Sequence, residues 1–439
     1  MTKYLVTILG AILLLSQTIQ ARTWTYEECL DYCLTNNISL QKLGLTRQTA
    51  FETLKASEAA LFPSLNFTTN QNVAYQPWKQ GMTIQNNEVQ TVTKKTSYNG
   101  AYTLGGNWTV WNGNRNHNQV KLNDVAEQAA AEDSIVKARS LEEQLALLFV
   151  RILYSKEAVK VSEKTLEASK VNENRGMEMY RVGSLSKAAL SQLTSQRAQD
   201  EYNLVQSESN VRNYKRQLKA LLQITDEDEF DVVETQATDA MALQPIPSVQ
   251  SVYEAAVENR PEIKRARLSV ESANIQRRIA TAQYLPTVTL NASATSNHSS
   301  QNNNAWGTQL KNGLNIGGGF SVNVPIFDRR EARTAVNKAN IQKQQALLDI
   351  RDKETTLYST ISDFWIQAYN NQQQYKSAKV STESAQTSYD LLSEQFQVGL
   401  KNIVELQEGK MRLLTAQQSE LQAKYTTIYC IKMLEFYKK

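Results

Sequence analysis

Two carboxylates, Glu405 and Glu408, are the residues of this sequence whose type and spacing most clearly suggest a chemical task. They follow a Val398-Gly399 pair, and a three-residue spacing places both side chains on one face of a helix. At a water-filled constriction such carboxylates attract cations and repel anions. The alternative is that both are ordinary solvated charges near a helix start, where the helix dipole also favours acidic side chains.

The sequence offers little for catalysis or for a bound cofactor. Its two histidines, His117 and His298, have no candidate metal ligands close to them in sequence, and there is no phosphate-binding loop. Gly317-Gly318-Gly319 falls in a strand pattern, where glycine allows close backbone packing. Cys29 and Cys33 could form a metal or redox pair, but no His or third Cys is near, which favours a helical stripe of small buried residues. We therefore expect no enzyme activity, no metal and no cofactor.

The composition favours long helices and argues against nucleic-acid binding. The 439 residues contain 7 prolines and 16 glycines, so few residues interrupt a helix. The net charge of +4 comes without a basic block, which excludes a nucleic-acid-binding footprint. The 19 Tyr and 6 Trp are residues that favour a membrane–water boundary.

The first 21 residues have the pattern of a signal peptide. Lys3 precedes an apolar run from Leu5 to Leu15, which is too short to span a bilayer, and Ala21 suits the position before a cleavage site. A buried N-terminal helix is the alternative. No later stretch is long and apolar enough to predict a transmembrane helix. We expect an exported protein that meets a membrane again only as a β-barrel or at the surface.

Four segments alternate apolar and polar residues with the period of two that is typical of β-strands. Their polar faces are rich in Asn and Thr, which suits the water-filled interior of a barrel. Four strands cannot close around a channel, because roughly eight are the usual minimum. The economical solution is a homotrimer with a transmembrane β-barrel of about 12 strands. The predicted strands cover residues 64–75, 98–111, 287–297 and 314–326.

The same plan occurs twice, in residues 22–249 and 250–439, and such an internal repeat is strong evidence about architecture. Heptad-spaced apolar residues predict that a long helix and the helix after it pack as a hairpin in each half, giving an α-helical barrel below the β-barrel. The long helices are predicted over residues 113–176 and 328–395, the turns over 180–185 and 396–401, and the returning helices over 186–222 and 402–437. Shorter helices are predicted over 26–37, 40–61 and 250–284, and irregular segments over 76–97, 223–249 and 298–313.

The second turn carries a resemblance to a known family. Residues Val398-Gly399-Leu400-Lys401-Asn402-Ile403-Val404-Glu405-Leu406-Gln407-Glu408 are similar to the Val-Gly-x-Arg-x-Ile-Val-Asp-x-x-Asp turn of the TolC family of outer-membrane efflux proteins. The order of elements over residues 24–439 resembles the same family. The resemblance implies a homotrimer in outer-membrane lipid, with a barrel open to the outside and a periplasmic helical tunnel. It also implies a periplasmic adaptor (membrane fusion protein) and, through it, an inner-membrane pump of the RND or ABC type as partners.

In that family the acidic pair after the second Val-Gly lines the periplasmic aperture, and the matching residues here are Glu405 and Glu408. In a trimer they would form two rings of carboxylates, whose mutual repulsion is expected to raise some of their pKa values. Phe396 stands where the family often has Tyr, so no hydroxyl is available there. Lys401 replaces an Arg and is a poorer bidentate partner for a carboxylate. The resemblance thus assigns the periplasmic gate and selectivity site to Glu405, Glu408, Lys401 and Phe396.

The two turns are unequal. When the Val-Gly pairs are aligned, Ala189 and Gln192 take the positions of the two glutamates, so a single gate on the second hairpin is expected. Both turns resemble the family's adaptor-docking tips, although any hairpin needs a turn whether or not a partner docks there. The expected docking residues are Val182, Gly183, Ser184, Val398, Gly399 and Leu400.

The leading hypothesis is an outer-membrane exit duct of a tripartite efflux or type I secretion system. The first alternative is an exported coiled-coil structural or adhesive surface protein, in which the strands form a capping domain without channel activity. An exported enzyme is the less favoured second alternative. The Asn- and Thr-rich strand faces separate the duct from the adhesive protein, because a capping domain does not need a wetted polar face.

Overall fold

The computed structural model of the protein describes residues 22–78, 81–85, 88–92, 95–225, 230–234 and 237–439. The predicted signal peptide and the acidic run at residues 226–229 lie outside the described residues. The chain divides into two compact units. The first comprises the described residues within Met1–Gly44, Glu132–Lys264 and Arg351–Lys439, and the second those within Leu45–Ala131 and Arg265–Ile350. Each unit draws on both halves of the sequence, so the predicted repeats do not coincide with the compact units.

Helices account for most of the described chain, as the scarcity of proline predicts. In chain order the elements are β1 (Arg22–Trp24), α1 (Tyr26–Asn36), α2 (Ile38–Ala59), β2 (Ser64–Tyr75), β3 (Gly81–Gln85), β4 (Glu88–Val92), β5 (Thr96–Trp111), α3 (Arg115–Arg181), α4 (Lys187–Leu222), β6 (Phe230–Val232), α5 (Asp239–Ala242), α6 (Val249–Asn259), α7 (Pro261–Thr281), β7 (Thr287–Ser299), α8 (Trp306–Asn312), β8 (Asn315–Asn323), α9 (Glu331–Gln397) and α10 (Ile403–Lys438). Helices α3 and α9 have 67 residues each, and α4 and α10 have 36 each. Among the described helices, none is both long and apolar enough to cross a membrane.

One antiparallel sheet dominates the second unit, with the strand order β2-β5-β7-β8. Directly paired residues share a face of a sheet, so the register shows which rows of side chains lie together. An apolar row crosses all four strands and consists of Phe67, Leu104, Ala294 and Ile316. The next row, on the other face, is polar and consists of Thr68, Thr103, Thr295 and Asn315. The alternation predicted from the sequence is thus present in three dimensions.

Three predictions about the segments around this sheet are wrong. Residues 76–97, predicted as a loop, contain the paired strands β3 and β4. Polar residues such as Asn86-Asn87 are typical of loops, but they are equally typical of the turn between two paired strands. Residues 298–313 contain α8, where Gln309 Nε2 donates to the carbonyls of Asn302 at 3.1 Å and Asn304 at 2.7 Å. Strand β8 ends at Asn323 rather than at residue 326, because Pro325 has no amide hydrogen to extend the ladder.

The predicted irregular connector at residues 223–249 is partly ordered. Strand β6 pairs in parallel with β1, and Val232 is almost fully buried. Asp231 accepts charge-assisted hydrogen bonds from Lys156 at 2.7 Å and Lys215 at 2.9 Å. A parallel pairing between distant segments leaves no local signal in the sequence, which is why the prediction of a solvated linker missed it.

Two hydrophobic clusters of the first unit each draw their buried side chains from one half of the sequence. One cluster packs α6 against α9 and α10 around fully buried side chains such as Ile361 and Leu434. Another packs β1 and α1 against α3 and α4, and it contains Cys29 and Cys33. Burial raises the pKa of Cys29 to about 12, so its thiol stays protonated, which agrees with the interpretation of a packed stripe. Among the described residues no cluster of three or more His, Cys, Asp or Glu could hold a metal.

Asp239 at the start of α5 makes a pH-dependent contribution to the first unit. Its carboxylate accepts from Lys379 at 2.7 Å and Lys424 at 2.9 Å, and these hydrogen bonds lower its pKa below the ordinary value of 3.8. A lowered folded-state pKa stabilises the fold above pH 3.8, and this stability is lost as the pH falls below that value.

We expect Asp239→Asn to lower the melting temperature of the detergent-solubilised protein at pH 7 and to have a smaller effect at pH 3. Thermal unfolding followed by helical circular dichroism measures both values. The exposed Asp31→Asn serves as the control, with no change expected at either pH. An equal loss at pH 7 and pH 3 for Asp239→Asn would show that its charge is not the source of the stabilisation.

Candidate functional site

Both helical hairpins of the first unit turn at a glycine in the left-handed conformation. Gly183 has φ 79° and Gly399 has φ 77°, values at which a Cβ atom is unfavourable. The amide of Ser184 donates to the carbonyl five residues before it at 2.8 Å, and the amide of Leu400 does the same at 2.8 Å. These bonds form Schellman motifs, which end α3 and α9 and satisfy their last carbonyl groups.

The residues expected to dock an adaptor lie on these turns and face solvent. The apolar side chains of Val182, Val398 and Leu400 are 73%, 70% and 75% exposed. Aliphatic side chains that stay exposed at a hairpin tip do not stabilise the fold by burial. Exposed apolar surface of this kind is typical of a site that binds a partner. Gly183, Ser184 and Gly399 are exposed as well.

One of the two carboxylates, Glu405, is part of the N-terminal cap of α10. Asn402 Oδ1 accepts the Glu405 amide at 3.0 Å, and the Glu405 carboxylate accepts the Asn402 amide at 3.3 Å. This reciprocal pair is a capping box, which satisfies two backbone donors that the helix leaves free. Lys401 Nζ also donates to the Glu405 carboxylate at 2.5 Å. The structure therefore brings together two of the predicted gate residues, Lys401 and Glu405.

Lys401 and the cap change the electrostatics expected at this tip. The hydrogen bond from Lys401, followed by that from the Asn402 amide, lowers the pKa of Glu405 below its usual value. Within one chain a neighbouring cation favours the ionised form of Glu405, and the raised pKa values expected for rings of carboxylates in a trimer stay a prediction. Glu408 is exposed and forms no ion pair among the described residues, so it carries the uncompensated negative charge of the pair.

The two glutamates line one groove, which we call the tip groove. It has a volume of about 800 Å³ and lies between α9 and α10. Hydroxyl-bearing and small side chains form most of its remaining surface, with Arg412 as the only basic residue among those that line it. The serines that line the groove are Ser381, Ser384, Ser388 and Ser419. A wetted groove with acidic residues at the tip end can hold or pass hydrated cations.

Phe396 does not take part in that groove. It is only 1% exposed and belongs to the hydrophobic cluster of the tip, with Leu193 from α4 and Leu406 from α10. The absence of a hydroxyl at this position follows from that burial, because a buried phenol would need a hydrogen-bond partner. Its assignment to the gate stays a prediction, and within one chain the ring stabilises the tip by packing.

A buried ionic network near the tip escaped the sequence analysis. Lys410 of α10 is 6% exposed and forms an ion pair with Asp200 of α4, which is 2% exposed. Ser169 of α3 donates to the Asp200 carboxylate at 2.5 Å and also contacts Lys410. Burial lowers the pKa of Lys410 from its usual value, and the adjacent Asp200 opposes that shift. The network joins the second hairpin to both helices of the first.

A signal for this network was present in the sequence. Lys410 lies at seam spacing between Leu406 and Leu413, where an apolar residue is expected. Asp200 occupies the matching kind of position seven residues after Leu193. Opposite charges at seam positions of two helices indicate a buried pair, but only if the helices are known to be neighbours.

Comparison with known proteins places this geometry in a family. A family model described as outer membrane efflux protein matches residues 252–428. Outer membrane protein TolC of Vibrio cholerae is 22% identical over 434 residues, which cover 95% of this chain and 91% of that protein. Outer membrane efflux protein BepC of Brucella suis is 23% identical over 44% of this chain and 41% of that protein, so this match spans less than half the length of BepC.

The chain resembles the TolC family of outer-membrane efflux proteins, in sequence over residues 252–428 and in fold over 94% of its length.

Solved structures support the family at the level of the fold. CusC, a protein that forms a transmembrane channel, superimposes with a TM-score of 0.79 at 16% identity, over 94% of this chain and 91% of CusC. The outer membrane channel CmeC of Campylobacter jejuni gives a TM-score of 0.77 at 17% identity, over 94% and 85% of the two chains. The resemblance inferred from the second turn is confirmed, and with it a location in the outer membrane, with the helical part in the periplasm.

The buried ionic network of Lys410, Asp200 and Ser169 makes a specific prediction about stability. Lys410→Met leaves the Asp200 carboxylate buried without a cation, which costs roughly 3–5 kcal/mol of unfolding free energy. The double variant Lys410→Met with Asp200→Leu removes both charges and is expected to recover most of that loss. Denaturant unfolding of the detergent-solubilised protein measures all three.

Lys401→Met is the matched control, because it breaks an ion pair on the same hairpin whose side chains are 38% and 37% exposed. The loss there is expected to be much smaller than for Lys410→Met, because solvent screens an exposed ion pair. If the double variant were as unstable as Lys410→Met alone, the damage would come from lost packing and not from an unpaired charge.

Proposed function

We propose that this chain is the exit duct of a tripartite efflux or type I secretion system, which passively conducts solute from a periplasmic adaptor and inner-membrane pump to the exterior. The observation that carries the proposal is the four-stranded sheet, with an apolar row on one face and a polar row on the other. An apolar face suits lipid and a face of Asn and Thr suits a water-filled bore.

The edges of that sheet support a homotrimer. In the described part of the chain, the outer edges of β2 and β8 pair with no other strand. Backbone groups in a membrane must be satisfied by hydrogen bonds, so open edges there require a partner strand. Pairing β2 of one copy with β8 of the next makes a head-to-tail interface that closes after three copies into a barrel of about 12 strands. An adhesive protein with a small capping sheet has no such need for closure.

The second hairpin tip is the proposed gate and selectivity filter. Three copies of the tip groove would bring three Glu408 carboxylates towards one axis, while each Glu405 remains paired with its own Lys401. Glu408 is therefore expected to contribute more to cation preference than Glu405. The buried ion pair of Lys410 and Asp200 supports a closed resting state, because moving the second hairpin away from the first must separate two desolvated charges.

The two turns are the proposed docking surface for the adaptor. Their support is the exposure of Val182, Val398 and Leu400 at the ends of rigid helical hairpins. Because nucleotide-binding motifs are absent from the sequence, the energy for transport must come from the pump that the adaptor connects.

Electrophoresis and planar-bilayer recording test the duct. The purified protein is expected to run as a heat-modifiable trimer and to give cation-preferring single channels that divalent cations block. Glu408→Gln is expected to reduce both cation preference and divalent block, Glu405→Gln to reduce them less, and the double variant to reduce them most. The physical reason is the loss of fixed negative charge at the constriction.

Glu27→Gln with Asp31→Asn removes two carboxylates from α1 and is the control, with unchanged selectivity expected. A protein that stayed soluble without detergent would contradict the proposal of an outer-membrane duct. Normal channels with unchanged selectivity in the double glutamate variant would leave the duct standing and move the filter elsewhere.

Site-specific cross-linking tests the docking surface. A photo-reactive residue at Val398 or Val182 is expected to form a covalent adduct with the hairpin of the co-expressed adaptor. The same group at the exposed Val380, within α9 and away from the turn, is expected to form none. Equal adducts from all three positions would show contact along the hairpin rather than docking at its tip.

A further inference from the structure

A basic cleft in the second unit lies where the sheet meets the helices. We call it the junction cleft. It has a volume of about 640 Å³ and lies between the start of α3 and the end of α7. Its basic side chains are Lys121, Arg277 and Arg278, and His117 and Leu285 also line it. No acidic residue lines the cleft. An uncompensated cluster of this kind attracts a multiply charged anion.

The three basic groups are available to a ligand. All three residues are exposed, and among the described residues none of them forms an ion pair or a side-chain hydrogen bond. Two other cations of the same unit are paired, and one of them is Arg47, whose Nε lies 2.6 Å from a Glu127 oxygen. Guanidinium groups bind phosphate oxygens in pairs, and a lysine adds a further donor and charge. The chemistry of the cleft therefore favours a phosphate group.

The position of the cleft indicates which class of molecule carries the phosphate. Strand β5 ends at Trp111 and β7 begins at Thr287, so the cleft lies within a few residues of the ends of two sheet strands. The adjacent side chains of Trp111, Tyr284 and Leu285 are 39%, 49% and 42% exposed. Exposed Trp and Tyr at strand ends are typical of the level of lipid headgroups. Because the cleft lies at this level, a phosphate bound in it is expected to belong to a lipid headgroup.

We propose that the junction cleft binds the headgroup phosphate of an anionic phospholipid in the periplasmic leaflet of the outer membrane. The proposal rests on the proposed function in one respect, that the sheet is part of a barrel in that membrane. Lys121, Arg277 and Arg278 bind the phosphate, and Leu285 lies against the start of the acyl chains. The bound lipid fixes the height of the sheet in the bilayer.

The junction between β8 and α9 also carries two arginines, Arg329 and Arg330. The offset that aligns Gly183 with Gly399 also aligns Gly113 and Asn114 with Arg329 and Arg330, and all four of these junction residues have positive φ, at 68°, 63°, 51° and 72°. Gly and Asn tolerate this conformation, but arginine does not favour it. Two consecutive arginines persist there because Asp328 caps the turn, accepting the Arg330 amide at 3.0 Å. Nearby Ile326 and Phe327 are 95% and 85% exposed, as residues of a lipid-facing boundary would be.

Native mass spectrometry of the full-length mature protein tests the cleft. The protein is exchanged into detergent that contains phosphatidylglycerol, phosphatidylcholine or inorganic phosphate. We expect retention of phosphatidylglycerol and little retention of the other two. Each basic residue near an anionic lipid surface strengthens binding roughly fivefold, so K121Q/R277Q/R278Q is expected to weaken phosphatidylglycerol retention on the order of a hundredfold. R277K/R278K keeps the charge and is expected to keep most of the binding.

R351Q/K353Q/K376Q is the matched control, because it removes the same charge from exposed positions of α9 in the first unit. Equal retention in this control and loss in the cleft variant support the site. Equal weakening in both, or unchanged binding in the cleft variant, overturns it. Retention of inorganic phosphate without preference for phosphatidylglycerol overturns the lipid assignment.

Channel recordings of the same samples separate this proposal from the duct. A cleft variant that conducts normally but retains no lipid supports the lipid site and leaves the duct intact. Wild-type protein that conducts but shows no preference for anionic lipid overturns the lipid site alone. Wild-type protein that retains the lipid but never conducts contradicts the duct and not the site.

Discussion

Backbone hydrogen bonds between β5 and β7 join the two halves of the chain in one sheet. The paired register runs from Asn99 opposite Ser299 to Trp111 opposite Val288, with one shift near Thr109. Each of the four sheet strands lies within a few residues of a helix: α2 precedes β2, α3 follows β5, α7 precedes β7 and α9 follows β8. The register of this one ladder therefore determines which row of side chains is polar, and with it which face of the sheet suits water.

Much of this architecture could be predicted because it depends on local rules. A period of two, Pro63 before it and a polar segment after it predict β2 over residues 64–75, the bounds it has in the structure. The Val-Gly turns are equally local, since a glycine with positive φ ends a helix whatever surrounds it. Elements that depend on distant partners were not predictable in this way. Strand β6 exists because β1 lies beside it, and the short β3 and β4 exist because they pair with each other.

The candidate site also combines features that depend on local sequence with features that depend on distant residues. The cap formed by Asn402 and Glu405 is a sequence-local motif, and its pairing with Lys401 needs only a helical turn. The network of Lys410 and Asp200 joins residues more than two hundred positions apart, so no window of sequence contains it. The burial of Phe396 also depends on distant residues. Only 1% of its surface is exposed because side chains of α4 and α10 pack against the ring.

The open edges of the sheet also have a consequence for how such a protein must be made. Among the residues that the structure describes, a single chain has unpaired backbone donors and acceptors along the outer edges of β2 and β8, next to exposed apolar side chains. Those edges are templates for adding any strand, including one from an unrelated unfolded protein. If three copies close the sheet, the population of completed barrels depends steeply on the concentration of free chains. At low expression, unassembled monomers with unpaired strand edges would then be the more abundant form. Periplasmic chaperones and proteases would bind or degrade these monomers and so limit their lifetime.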